Sequence, residues 1–383
     1  MDSITPIRID LFEEDVVLGI EPGYYRLSKG TSAAPEKDFQ KLLNGIRICS
    51  DDIEYQAVRD HVPDAYCILN EHIYSSFDDG DIGYVTAKGR MRIVLAQREN
   101  HNSILVTEEC DNLCLFCSQP PKKEQDTWLW KQALYAVCTF QSKQTIGITG
   151  GEPLLRKDLM LSFLDGVKQL SSCTPLHILT NGRGLADTAF SRALFEKTKG
   201  LTVTLGVPVH SMNPIIHDTI SGAQSSHQET IKGLINAGNL GINIELRIIP
   251  VVQNVNQIKQ IIEFAARCLS NVVQVSIMNL EPTGWAKKNW DELYVSPNLL
   301  HLELEESVKL SSQAGLPVKL FNYPLCQLSP LLREFAVKSI SDWKNYYPKP
   351  CQPCLLKSDC TGLFSSARGK FIPNIRSVLD HEK

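Results

Sequence analysis

Six short runs rich in β-branched residues lie at 103–107, 144–149, 175–180, 201–207, 242–249 and 272–278. Helical stretches separate them near 124–140, 157–170, 187–198, 227–238 and 256–268. Strand and helix repeating in this way imply a parallel sheet. Right-handed crossovers wind such units into a doubly wound sheet or a barrel. Six units are too few to close an eight-stranded barrel. The expectation is therefore an α/β fold, a partial (β/α)6 barrel over residues 101–310, with functional residues at the C-terminal ends of its strands. One helix carries a start signal: Ser226 and Glu229 fit a capping box, with Gly238 as the stop.

The flanks read differently. A chain of 383 residues exceeds what one core holds, so two or three units are expected. Residues 1–100 read as a partly β unit, because FDDGDIGYVTAKGRMRIVLAQ breaks short apolar runs with Asp-Gly and Lys-Gly, as hairpins do. It is either scaffold or a substrate-binding unit. Residues 311–383 are rich in Pro and Cys, as in NYPLC and YYPKPCQPCLLKSDC, and read as a small C-terminal unit organised by a metal. Hydrophobic residues at 43% and charged residues at 21% exclude a disordered chain. A net charge of −4 argues against broad capture of nucleic acid. No apolar run approaches the ~20 residues of a membrane span, and the first residues do not read as a secretory signal. The expected compartment is the cytoplasm, with no membrane partner.

Twelve cysteines in such a compartment are not a disulfide framework. Cys110, Cys114 and Cys117 form C-x3-C-x2-C directly after the first strand, and Cys351, Cys354 and Cys360 form C-x2-C-x5-C. The lone Cys49, Cys67, Cys138, Cys173 and Cys268 read as buried small hydrophobes; Cys326, in NYPLC, stands apart. Three thiolates on a cubane leave one iron open to bind a small molecule, whereas four close the site. Zinc would want a fourth Cys or His, and the nearest histidine, His101, precedes the strand.

Strand two ends in Gly150-Gly151-Glu152-Pro153, where glycines let backbone approach a ligand and the carboxylate accepts hydrogen bonds from an ammonium. Thr180-Asn181-Gly182 follows strand three. Arg247, in strand five, has the fork geometry for a carboxylate, or forms an ordinary ion pair. His177 lies within a strand and reads as buried, or packed between strand and helix, while His210 and His217 are placed to face the barrel mouth. Trp128 and Trp130 fall on different faces of a helix, as core or partner contacts do.

The first cysteine set, with Phe116 before Cys117, resembles the cluster motif of the radical S-adenosylmethionine (SAM) superfamily. That resemblance implies a [4Fe-4S] cluster on Cys110, Cys114 and Cys117, with SAM bound through the open iron. It also implies that Gly150, Gly151, Glu152 and Pro153 bind the methionine amino group and that Thr180 and Asn181 lie near SAM. Many relatives carry a Ser-Leu-Asp-Gly-like segment before a His-Asp pair. Here His217-Asp218 is preceded by Pro208-Val209-His210-Ser211, so no contact carries over there.

The second cysteine set resembles the auxiliary-cluster domain (SPASM, or its shorter twitch form). A further cysteine expected four residues after Cys360 is Phe364. One auxiliary [4Fe-4S] cluster is implied, with Cys326 as the fourth ligand; zinc on four thiolates is the alternative. Glu245-Leu-Arg247, Tyr323-Pro-Leu-Cys326 and Phe335-Ala-Val-Lys-Ser-Ile-Ser-Asp-Trp-Lys344 are similar to the C-type partner of the His-Xaa-Ser system radical SAM maturases. This implies reductive cleavage of SAM to a 5′-deoxyadenosyl radical and hydrogen abstraction from a peptide or small protein with His-Xaa-Ser repeats. A second radical SAM maturase and an electron donor such as a flavodoxin or ferredoxin would be partners. The rival expectations are a radical SAM enzyme acting on a nucleotide or RNA base, and a zinc-stabilised, non-catalytic binding protein.

Overall fold

The computed structural model describes residues 23–29, 45–49, 65–67, 74–75, 77–85, 91–99, 101–123, 126–140, 143–170, 174–339, 345–371 and 374–379. Eight parallel strands form the central sheet: β6 (Asn102–Thr107), β7 (Ile146–Gly150), β8 (Leu176–Leu179), β9 (Val203–Pro208), β10 (Asn243–Ile248), β11 (Val272–Met278), β12 (Val318–Phe321) and β13 (Ala336–Val337). They lie side by side in chain order. Helices 128–140, 157–170, 188–198, 226–240 and 258–268 connect the strands up to β11.

The period-2 pattern of the strands decides which face meets the helices. In β10, Ile244, Leu246 and Ile248 are buried in the main core beside Leu205 and Val207 of β9 and Val275 and Ile277 of β11. Arg247 belongs to the opposite set and lines a cavity inside the sheet. Cys110, after β6, and Asn322, after β12, line this same cavity. Six steps of about 4.8 Å would set them about 29 Å apart on a flat sheet. The sheet therefore curls into a partial barrel, with its strand C-termini facing the cavity.

The sheet does not end near residue 310. It continues through β12 and β13, which pair with β11 and with each other. Four and two residues long, these strands are too short to show a periodic signal beside the Pro- and Cys-rich segments. The expected six strands are thus eight.

An N-terminal sheet has the order β3-β2-β1-β4-β5, from β1 (Gly23–Lys29), β2 (Gly45–Cys49), β3 (Ala65–Cys67), β4 (Ile82–Val85) and β5 (Met91–Leu95). The expected hairpin is the antiparallel pair β4–β5. Tyr24 docks this sheet on the barrel: its N–H donates to Gln132 Oε1 at 3.0 Å, and its hydroxyl donates to the Leu105 carbonyl at 3.3 Å. The C-terminal segment holds a short antiparallel pair, β14 (Asn345–Tyr346) with β15 (Leu363–Phe364).

The expected capping box is replaced by a longer-range cap. Ser226 is the first helical residue and its buried Oγ has no partner, while Glu229 turns to Arg183. Asp218 takes over, accepting from Ser225 N at 2.8 Å and His227 N at 2.7 Å. The helix runs past Gly238 and stops at Gly241, whose φ of 77° is the left-handed conformation that glycine adopts without strain. Among the described residues, no helix is long and apolar enough to cross a membrane.

Candidate active site

The C-x3-C-x2-C loop leaves β6 under tight control. Thr107 Oγ1 donates to Asp126 Oδ1 at 3.1 Å, and the same carboxylate accepts from Glu108 N. Lys122 pairs with Glu108 at 2.6 Å, and Arg156 forks onto Glu109 with two contacts of 2.8 Å. The Gly150-Gly151 pair explains itself here. Gly151 N donates to Thr107 O at 2.9 Å and Glu152 N to Glu109 O at 2.7 Å. A Cβ on Gly151 would stand 2.1 Å from the Glu109 carbonyl oxygen. These glycines therefore let the end of β7 press against the cysteine loop itself, and they also form part of the cavity wall. On the loop's far side, a Cβ on Gly284 would meet Cys117 O at 2.4 Å, and Trp285 N donates to that oxygen at 2.8 Å.

The cavity, about 300 Å³, is lined by Cys110, Cys114, Cys117 and Phe116 on one side. Gly150, Gly151, Thr180 and Asn181 line it too, and Arg247, Asn279, Glu281 and Asn322 complete its far wall. All three cysteines are half-buried. Burial pushes Cys110 and Cys114 up to about 12, and it also raises Cys117. Three thiols so placed stay neutral unless a cationic centre compensates their charge, as a bound metal does. The donor set, the open cavity and the clamped loop fit a cluster held on one face by three thiolates.

Glu152 sits differently from the expectation. It is 1% exposed and absent from the cavity lining. Its carboxylate accepts from Thr180 Oγ1 at 2.6 Å, Asn181 N at 2.5 Å and Leu154 N at 2.7 Å. Burial raises it to about 7 against the pull of these donors. Glu152 is thus a brace between the ends of β7 and β8, and backbone of the Gly-Gly pair is what faces the cavity. Pro153 is buried at the start of the 3-10 turn that follows and is not among the residues lining the cavity.

Asn181 lines the cavity while its Nδ2 donates to Asp111 Oδ1 at 2.7 Å. Arg183, which the motif pattern did not single out, ties three segments together. It donates to Asp111 O and Asn112 Oδ1, both at 2.8 Å, and to Glu229 Oε2 at 2.5 Å. Its only sequence signal was its place directly after the Asn181-Gly182 turn.

Arg247 is half-buried, and its buried Nε has no hydrogen-bond partner; Nη2 lies 3.0 Å from Met278 Sδ. Glu245, two residues earlier, faces His177 Nε2 at 2.7 Å. The contact crosses β9 at Gly206, where a Cβ would stand 2.7 Å from that nitrogen. His177 is therefore half-buried inside the barrel rather than in the helix-side core. His210 and His217 do line the cavity, with ring centroids 4.9 Å apart, and His210 packs edge-on against Phe116 at 5.3 Å. Burial holds His210 far below its ordinary value and His217 down to about 4, so both rings are neutral. Trp130 is buried and Trp128 is exposed, matching their opposite faces.

A second cavity brings Cys326 together with Cys351, Cys354 and Cys360. Backbone N–H groups approach two of the sulfurs: Leu325 N and Gly362 N each lie 3.4 Å from Cys360 Sγ, and Val378 N lies 3.4 Å from Cys354 Sγ. Burial, then the neighbouring thiols, push Cys351 up to about 11; Cys326 is raised chiefly by burial. Among the described residues, no group of three or more His, Cys, Asp or Glu side chains is arranged to hold a single metal ion.

The fold is thus a parallel α/β partial barrel whose three loop cysteines follow its first strand and line the cavity. Residues 104–265 match the radical SAM superfamily domain. Such a domain implies a [4Fe-4S] cluster and SAM. Similar proteins include the probable GTP 3′,8-cyclase of Sulfolobus acidocaldarius, 26% identical over 48% of this chain and 57% of its own. The GTP 3′,8-cyclase of Haemophilus influenzae is 25% identical over 57% of this chain. The chain spans 57% and 65% of these relatives' lengths. Among solved structures, Streptococcus suis SuiB bound to precursor peptide SuiA has a TM-score of 0.45 at 19% identity, covering 57% of this chain and 48% of its own. Native anSMEcpe with bound AdoMet and Kp18Cys peptide has a TM-score of 0.44 at 12% identity, covering 57% and 63%.

Proposed function

We propose that the chain is a peptide- or protein-modifying radical SAM enzyme of the His-Xaa-Ser maturation type. The observation that carries this reading is the charge of the cavity. Among the described residues, its lining holds one cationic side chain, Arg247, and one carboxylate, Glu281, beside two histidines kept neutral by burial. SAM itself brings a carboxylate that suits Arg247. A nucleoside triphosphate needs several further cationic donors for its phosphates, whereas a peptide segment needs none.

Cys110, Cys114 and Cys117 would hold the cluster. When bound, the cluster and SAM supply one-electron cleavage to a 5′-deoxyadenosyl radical that abstracts hydrogen from carbon. The chain's own residues place and shield this chemistry. Gly150 and Gly151 offer backbone to the methionine end, Arg247 takes its carboxylate, and Phe116, Thr180 and Asn181 complete the wall. Arg183 and Glu152 keep the cysteine loop and the ends of β7 and β8 in register. Cys326, Cys351, Cys354 and Cys360, which converge on one cavity, would hold an auxiliary cluster, with zinc on four thiolates as the alternative.

The test is anaerobic incubation of reconstituted protein with SAM, reductant and either a His-Xaa-Ser repeat protein or GTP, with and without a second radical SAM maturase. The expected result is 5′-deoxyadenosine formation coupled to a mass change in the repeat protein. Conversion of GTP, with the repeat protein unchanged, would favour the nucleotide reading that the names of the sequence relatives suggest.

A further inference from the structure

We propose, resting on the reading of the four thiols as a metal site, that Asn322 is a positioning residue of the cavity and that Ser339 sets its placement from the state of that site. Asn322 lines the cavity immediately after β12, at a φ of 64°. A non-glycine residue in this left-handed region persists where its surroundings over-determine it. Ser339 does so here. Its Oγ accepts from Asn322 N at 3.0 Å and donates to Asn322 Oδ1 at 3.0 Å.

Ser339 faces the thiol site with its other polar group. Its N–H donates to Thr361 Oγ1 at 3.2 Å, and Thr361 is buried and directly follows Cys360. A second route is covalent: only Tyr323, Pro324 and Leu325 separate Asn322 from Cys326. Tyr323 is 1% exposed and cannot absorb a shift by swinging out, and Leu325 N meets Cys360 Sγ. The two routes start from different ligands, Cys360 and Cys326, and converge on Asn322. From there Asn279 Nδ2 donates to Asn322 O at 3.3 Å, so the ends of β11 and β12 move together on the wall opposite the cysteine loop. Metal at the four thiols fixes the Cys360–Thr361 turn. Through Ser339 it fixes the part of the cavity where a substrate must lie against SAM, which is a coupling between two sites through a contiguous hydrogen-bonded network.

The experiment follows amide hydrogen exchange in peptides covering 277–282 and 318–324 of the full reconstituted chain, with iron counted in each sample. The proteins are wild type, Cys351→Ala/Cys354→Ala, Ser339→Ala and Ser339→Thr. The double cysteine variant is expected to lose about half its iron and to exchange about tenfold faster in both peptides. Ser339→Ala is expected to keep all its iron yet speed the same peptides, and Ser339→Thr, which retains the hydroxyl, to restore them. Wild-type exchange in Ser339→Ala, or unchanged peptides in a cysteine variant that has lost iron, overturns the coupling. Full iron in the double cysteine variant overturns the metal reading instead, and the coupling falls with it.

Discussion

Glu152 Oε1 accepts a hydrogen bond from Thr180 Oγ1 at 2.6 Å, so a carboxylate at the end of β7 is spent on holding the end of β8. Replacing it leaves three donors unpaired, on Thr180, Asn181 and Leu154, those on Thr180 and Leu154 in buried bonds. Glu152→Ala is expected to destabilise the protein by about 2–4 kcal/mol, and Glu152→Gln, which keeps one oxygen, by about 1 kcal/mol. Chemical denaturation followed by circular dichroism reads both. Equal, small losses for the two variants would show that the brace is not needed.

Gly151 is required by the cysteine loop. With its Cβ position 2.1 Å from Glu109 O, Gly151→Ala must push the loop that carries Cys110. Iron loading is expected to fall severalfold in this variant. Gly315→Ala, where no atom lies within 4 Å of the new Cβ but φ is 70°, is the control. It should cost about 1 kcal/mol and load normally. Iron assay after anaerobic reconstitution distinguishes the two.

Arg247 offers an unpartnered, buried Nε beside the cavity. Arg247→Gln is expected to weaken SAM binding by about tenfold or more, while iron content is unchanged. Equilibrium titration with SAM checks it; wild-type affinity would reassign Arg247 to a structural ion pair with Glu245.

Glu245 predicts an acid-side stability loss. Burial works to raise its carboxyl, but the His177 contact and the Arg247 charge outweigh it and bring it down to about 2 from an ordinary 4.5. A depressed carboxylate stabilises the fold fully above its unfolded value. That contribution is lost as pH falls from about 4.5 toward 2, and amounts to about 3 kcal/mol. Glu245→Gln should be less stable at pH 7 by about this amount and show a shallower decline in acid. Parallel pH–stability curves for the two proteins would contradict the assignment.

Much of the barrel was legible because β6 to β11 carry period-2 apolar patterns long enough to see, and both cysteine sets announced themselves by spacing. Cys326 was found from its own short motif, and the structure does bring it to the other three thiols. What spacing could not convey was how groups are used. Glu152 reads as a ligand in sequence, and spacing gave no sign that its carboxylate would accept from Thr180 and Asn181, which come from a different strand end. Ser226 looks like a cap, yet Asp218 caps that helix from the preceding one. Arg183 lies in no recognisable motif, since its partners Asp111, Asn112 and Glu229 are about 70 and 46 residues away. Such long-range polar pairings are fixed by the fold and leave no local periodicity.

The most direct measurement is iron per chain after anaerobic purification and reconstitution, for wild type and for Cys110→Ala/Cys114→Ala/Cys117→Ala. About eight irons in wild type and about four in the variant are predicted, as two four-iron clusters require. A wild-type chain that binds no iron under these conditions would contradict the assignment of Cys110, Cys114 and Cys117 as the cluster ligands.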